Sequence, residues 1–204
     1  MMGPVYFVTD PGADMAVLDQ ALAAVRGGAR LIQLRDKSAS AEEMTAQAMA
    51  LQAAIAPIGA KLIINDRVDV AIATDACGLH IGQGDGDPRD VRSRIGPDMI
   101  LGLSVEDAGQ VPDVPLDCVD YLGVGPIRAT ATKPDHAPPI GFSGLADVIK
   151  NTPLPCYAIG GIGAGDCADL KRVGAVGLAV VSAIARADDP EVATRDLLKE
   201  WGTS

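Results

Sequence analysis

Residues 29–66, ARLIQLRDKSASAEEMTAQAMALQAAIAPIGAKLIIND, decide how this chain folds. Two short runs rich in Leu and Ile, 29–37 and 61–66, flank a stretch, 40–58, whose apolar residues recur with helical period. The runs are apolar on consecutive residues, and so on both faces, as in a parallel strand covered by helices. Gly59-Ala60 closes the helix with a glycine where a left-handed cap is wanted and then opens the next strand. The stretch is one strand-helix-strand unit. Outward in both directions the unit repeats: VYFVTD (5–10), GLHIGQ (78–83), MILGLS (99–104), VDYLGVGPI (119–127), PCYAIGGIG (155–163) and VGLAVVSAI (176–184) bring the runs to eight, and Gly28-Ala29 and Gly174-Ala175 repeat the cap.

Eight β-α units of roughly 25 residues each predict an α/β fold, a (β/α)8 TIM barrel with residues 1–204 as a single domain. The competing arrangement is an open doubly wound sheet, and no G-x-G-x-x-G follows the first strand to support it. The fifth helix is the weak one, because Pro112 and Pro115 leave room for barely two turns between Ser104 and Val119.

With 48% hydrophobic residues the chain can bury one substantial core. A net charge of -10 and only one Trp, three Tyr and two Phe argue against nucleic acid as a partner. No apolar run reaches the roughly 18 residues of a membrane span, and MMGPVYFVTD lacks the basic and long apolar regions of a signal peptide, so the expected location is cytoplasmic, away from membranes. Cys77, Cys118, Cys156 and Cys167 form no C-x-x-C pair, which argues against zinc; Cys118 and Cys156, at the starts of apolar runs, read as small buried residues.

In a barrel of this kind the chemistry sits at the C-terminal ends of the strands. On the second strand Gln33, Arg35 and Lys37 share one face by the two-residue period, a cationic fork for an anion, or else a solvated strand end neutralised by Asp36. The third strand ends in Asn65-Asp66, the fourth leads to Gln83 and Asp85, and the fifth ends at Ser104. Two carboxylates at neighbouring strand ends suit Mg2+, although Asp66 could instead cap the helix that follows, and Asp87 is a competing ligand that reads better as a helix cap. Gly160-Gly161-Ile162-Gly163 and Val181-Ser182 offer N–H groups and a hydroxyl to a phosphate. Gly123 and Gly125 either leave space for a flat ligand or serve tight internal packing. His80 reads as a hydrogen-bonded core residue, and His136 is given no role.

The segment GVGPIRATATKPDHAPPIG, 123–141, is long for this chain and carries four prolines, which predicts a lid or binding loop with Gly125 and Gly141 as its flexible ends.

Taken in order, YFVTD, IQLRDK, LIINDRVDVA, GLHIGQGD, MILGLS, DYLGVGPIRATATK, AIGGI and GLAVVSAI resemble the thiamine-phosphate synthase family along nearly the whole chain. The resemblance implies a (β/α)8 transferase of thiamine biosynthesis that joins 4-amino-5-hydroxymethyl-2-methylpyrimidine diphosphate to thiazole phosphate, with Mg2+ as cofactor. It implies that Gln33, Arg35, Lys37, Asn65, Ser104 and Lys133 hold the pyrimidine diphosphate, with Lys133, Arg35, Lys37 and Ser104 in catalytic roles. Asp66 and Asp85 would be the metal ligands, and Thr130, Thr132, Gly161, Val181 and Ser182 would meet the thiazole phosphate. The reaction it implies is dissociative, with the diphosphate departing before the thiazole nitrogen attacks. A homodimer is compatible with this reading. Two departures stand out: Arg128-Ala129 occupies the place of an aromatic residue and proline, and Gly84 that of an acidic residue.

Three rival functions follow from the same barrel. A thiazole tautomerase relative would need a histidine just after the fifth strand, where LGLSVEDAG has none. A sugar-phosphate isomerase would need paired acid and base groups without a metal cluster. A protein that only binds thiamine phosphate would have no need of the two carboxylates.

Overall fold

The computed structural model describes residues 3–130, 132 and 137–202. Eight strands, β1 (Val5–Val8), β2 (Leu31–Leu34), β3 (Lys61–Asn65), β4 (Gly78–Ile81), β5 (Ile100–Val105), β6 (Tyr121–Val124), β7 (Cys156–Ile159) and β8 (Gly177–Val180), pair in chain order into one closed barrel. Every pairing is parallel, and Val5 opposite Leu178 joins the first strand to the last. Closure leaves no strand edge exposed.

The helices are α1 (Val17–Arg26), α2 (Ala41–Ile55), α3 (Val68–Ala73), α4 (Pro88–Ile95), α5 (Gly141–Lys150), α6 (Cys167–Arg172), α7 (Ser182–Ala185) and α8 (Pro190–Trp201). Local chemistry sets their ends. Ser40 and Glu43 form a reciprocal capping box at the start of α2, and Asp87 and Asp189 cap α4 and α8, each followed by proline at the first helical position. The three expected glycine caps, Gly28, Gly59 and Gly174, all adopt positive φ, which a Cβ would oppose. The weak fifth crossover is a 3-10 helix, Ala108–Asp113, with Pro112 inside it.

Packing forms two shells. Outward-facing strand residues such as Phe7, Ile32, Leu34, Ile64, Leu79 and Leu122 meet the helices in one large core that also buries Cys118, Cys156 and Cys167. Inside the barrel, Tyr6, Tyr121 and Tyr157 meet edge to face, with ring centroids 5.6 to 6.0 Å apart. Glycines make room for these rings: a Cβ on Gly102 would collide with the Tyr121 ring, and one on Gly177 would lie 2.6 Å from the Tyr157 ring. The barrel floor is therefore filled, and whatever binds must enter from the C-terminal mouth.

Candidate active site

A cavity of about 540 Å³ opens at that mouth. One half is lined by Gln33, Arg35 and Lys37 from β2 and the loop after it, Asn65 and Asp66 at the end of β3, Asp85 after β4, and Ser104 on β5. The opposite half is lined by Thr130 and Thr132, by Gly160, Gly161 and Ile162 after β7, and by Val181, Ser182 and Ala183 after β8. Lys133, and with it His136, lies outside the described residues. The other twelve residues to which the family resemblance gives roles all border this one cavity, whereas Gln83 and Gly163 do not.

β2 ends at Leu34, so Arg35 and Lys37 stand beyond the strand while keeping its alternation. Asp36 does not neutralise them by contact. Its carboxylate accepts from Ser38 N, Ser38 Oγ and Ala39 N and shapes the turn into α2. Lys37 Nζ instead lies 3.3 Å from Asp66 Oδ2.

Asp66 has φ 61, a left-handed conformation uncommon outside glycine, and its N–H donates to the His80 carbonyl. It does not cap α3: the cap position is Arg67, and no side-chain bond is made there. Its carboxyl is pushed above the usual range, first by burial, then by the neighbouring Asp85, with Lys37 opposing. Asp85 in turn accepts from Gly82 N at 2.7 Å. Asp87 is occupied as the cap of α4, accepting from Arg89 N at 2.7 Å.

Asp85 crowds the Asp66 carboxylate more than Lys37 offsets, and a divalent ion would relieve that crowding. Mg2+ takes as few as one or two protein carboxylates and fills its other positions with water and phosphate oxygens, so Asp66 and Asp85 fit it. Among the described residues no group of three or more His, Cys, Asp or Glu side chains is placed to hold a metal.

On the other half, Gly160 and Gly161 turn the chain with φ 93 and 66, and a Cβ on either would strike the loop after β6. The first N–H groups of α7 have no intrahelical acceptor and lie where the cavity is lined by Ser182 and Ala183. The loop after β6 is pinned at both roots: Ile127 N and Arg128 N donate to Ile159 and Gly160 carbonyls, while Ile140 N and Gly141 N donate to Pro126 and Ile127 carbonyls. Gly125 also packs too closely on the Ile159 carbonyl to admit a Cβ. The ends expected to be flexible carry these backbone hydrogen bonds at their roots.

Arg128 is not offered to a ligand. Its guanidinium grips Asp166 at 2.7 and 2.9 Å, donates to the Gly161 carbonyl at 3.1 Å and lies 5.2 Å from the Phe142 ring centroid. Asp166 also accepts from Gly163 N, and Arg128 holds its carboxyl below the usual range.

Beneath the cavity runs a chain of buried hydrogen bonds, Gln33–Tyr6–Tyr121–His80–Ser104, each 2.6 to 2.9 Å long. Burial pushes His80 down to about 4, so the ring is neutral, as expected of a core histidine. Gly123 gives it space, since a Cβ there would approach His80 Cε1 to 3.0 Å. Sequence reasoning missed the tyrosines and Glu106, which also borders the cavity. For Tyr121 the signal was present, since the two-residue period that aligned Gly123 with Gly125 includes it.

A closed (β/α)8 barrel with a cation-and-carboxylate half facing a glycine-and-hydroxyl half defines a class, the phosphate-handling barrel enzymes. The family model for thiamine monophosphate synthase matches residues 5–184. A thiamine-phosphate synthase of Xanthobacter autotrophicus is 50% identical over 94% of this chain and 92% of its own length, and one from a Roseiflexus species is 46% identical over 96% and 84%. A thiamine phosphate pyrophosphorylase of Pyrococcus furiosus superposes with a TM-score of 0.89 at 31% identity, covering 98% of this chain and 96% of that one. The chain belongs to the thiamine monophosphate synthase family.

Proposed function

We propose that the protein is a cytoplasmic transferase that condenses 4-amino-5-hydroxymethyl-2-methylpyrimidine diphosphate with thiazole phosphate to give thiamine phosphate and diphosphate. One observation carries the reading: a single cavity has two halves of opposite chemical character, each suited to its own anionic substrate. The whole described barrel acts as one unit in this reading, whether alone or as a homodimer.

The pyrimidine diphosphate lies on the β2–β5 half, its diphosphate toward Arg35, Lys37 and Lys133. Asp66 and Asp85 would hold Mg2+, which would supply charge neutralisation for a departing diphosphate. Gln33, Asn65 and Ser104 hold the pyrimidine ring. The thiazole phosphate lies against Gly161, Val181, Ser182, Thr130 and Thr132, which keeps the thiazole nitrogen in line with the carbon that loses diphosphate. No protein nucleophile is needed, because the diphosphate leaves first and the thiazole nitrogen then bonds to the pyrimidine-stabilised carbocation. The end of β5 carries Ser104 and no histidine, in keeping with a synthase and against a tautomerase.

The phosphate half is tested by calorimetry with thiazole phosphate and with the thiazole alcohol that lacks it. The alcohol is expected to bind more weakly, since the N–H and hydroxyl donors on this half lose a charged acceptor. Equal affinity for the two would overturn the assignment.

A further inference from the structure

We propose that Tyr121, acting with Tyr6 and His80, is a positioning residue that fixes the hydrogen-bond polarity of the ring site, so that Gln33 presents an acceptor and Ser104 a donor to a bound heteroaromatic ring. The inference rests on the reading above that this half of the cavity holds the pyrimidine.

The polarity follows from counting protons along the buried chain. The Gln33 amide nitrogen, which can only donate, faces Tyr6 Oη at 2.6 Å. Tyr6 therefore accepts there, and its single proton goes to the other neighbour, Tyr121 Oη, at 2.9 Å. Tyr121 then has one proton left, which it donates to His80 Nδ1 at 2.9 Å. A neutral imidazole with Nδ1 accepting carries its proton on Nε2, which donates to Ser104 Oγ at 2.9 Å. Each donor assignment forces the next.

The two ends of the chain border the cavity. Gln33 spends one amide N–H on Tyr6, which fixes which end of the amide faces Tyr6 and leaves Oε1, beside the remaining N–H, for a ligand. Ser104 receives the histidine proton, which leaves its own hydroxyl proton to donate. The site thus favours a ring bearing an exocyclic amino donor and a ring-nitrogen acceptor over one in which a carbonyl and ring N–H reverse that pattern. Tyr6, Tyr121, Gln33 and His80 are all buried, so water cannot easily substitute for a missing partner.

Two measurements on the full chain test this. With 15N-labelled histidine, long-range proton–nitrogen spectra at neutral pH should show His80 protonated on Nε2, the signals of its two histidines being assigned with His136→Gln. A proton on Nδ1 would reverse the polarity and overturn the proposal, and this readout does not depend on the enzyme's activity. The second measurement is kcat/KM for the amino-pyrimidine diphosphate against its 4-oxo analogue. In Tyr121→Phe the preference for the amino compound should fall by about tenfold or more, because the histidine proton is no longer fixed. Tyr6→Phe, which cuts the chain one step earlier, should lower the same ratio and serves if Tyr121→Phe does not fold. Losses equal on both substrates would show a purely structural role and overturn the proposal; an absence of turnover with the expected Nε2 signal would instead count against the proposed reaction.

Discussion

Asp66 concentrates the site's chemistry in one residue: a left-handed backbone, a partly buried carboxylate, Lys37 on one side and Asp85 on the other. Replacing Asp66 or Asp85 with alanine should lower turnover by about 10²-fold or more, the scale of losing a preorganised charge contact. Asp66→Asn separates charge from backbone, since asparagine tolerates positive φ; it should be as inactive as the alanine variant but no less stable than wild type. Turnover near wild type in either alanine variant would contradict the metal assignment. His80 yields a pH prediction with a definite sign. Its folded pKa of about 4 lies below the ordinary 6.5, so the unfolded chain takes up a proton that the folded one refuses. Its contribution to stability is full above about pH 6.5 and falls away toward pH 4, by about 3 kcal/mol in all. Denaturant unfolding at those two pH values should show that loss reduced in His80→Gln. At this scale the sequence revealed which residues converge and left two alternatives open. Asp66 looked equally like a helix cap because a helix does follow it; only the backbone turn at Asp66, which moves the cap position to Arg67, settles the matter.

Among the elements, the strand-helix repeat was legible because parallel strands are apolar on both faces and their helices end in glycine. Ser40 and Glu43 illustrate how local the signals are: Ser40→Ala should cost about 1 kcal/mol in urea unfolding, with no effect on activity. What was not legible is a pairing between elements. Arg128 and Asp166 lie 38 residues apart, and nothing in either segment signals the other. In the sequence Arg128 stands only as a departure from the family pattern, whereas in the fold it joins the root of the β6 loop to the turn after β7 through Asp166, Gly161 and Gly163. Arg128→Ala should therefore raise KM for thiazole phosphate by about tenfold, equivalent to about 1.4 kcal/mol, with a smaller change in kcat. A fall in kcat at unchanged KM would show that the arginine acts on the leaving diphosphate instead.

For the whole molecule, closure is what turns eight similar units into a site, because it brings Gln33 and Ser182, far apart in the chain, to opposite walls of one cavity. The filling of the barrel by three tyrosines was not read from the sequence, since interior packing depends on the register between strands. It predicts that Gly102→Ala, whose Cβ would collide with the Tyr121 ring, destabilises by about 1–3 kcal/mol in denaturant unfolding. Despite a net charge of -10, the molecule places Arg35 and Lys37 at the mouth, where anions are to enter. The central claim, that the two halves of the cavity bring two anionic substrates to reaction across a magnesium site, is tested most directly by mixing the pyrimidine diphosphate and thiazole phosphate with the enzyme and following thiamine phosphate and released diphosphate. Equimolar products that form with Mg2+ and vanish in excess chelator are the predicted result; no product with Mg2+, or full activity in chelator, would contradict it.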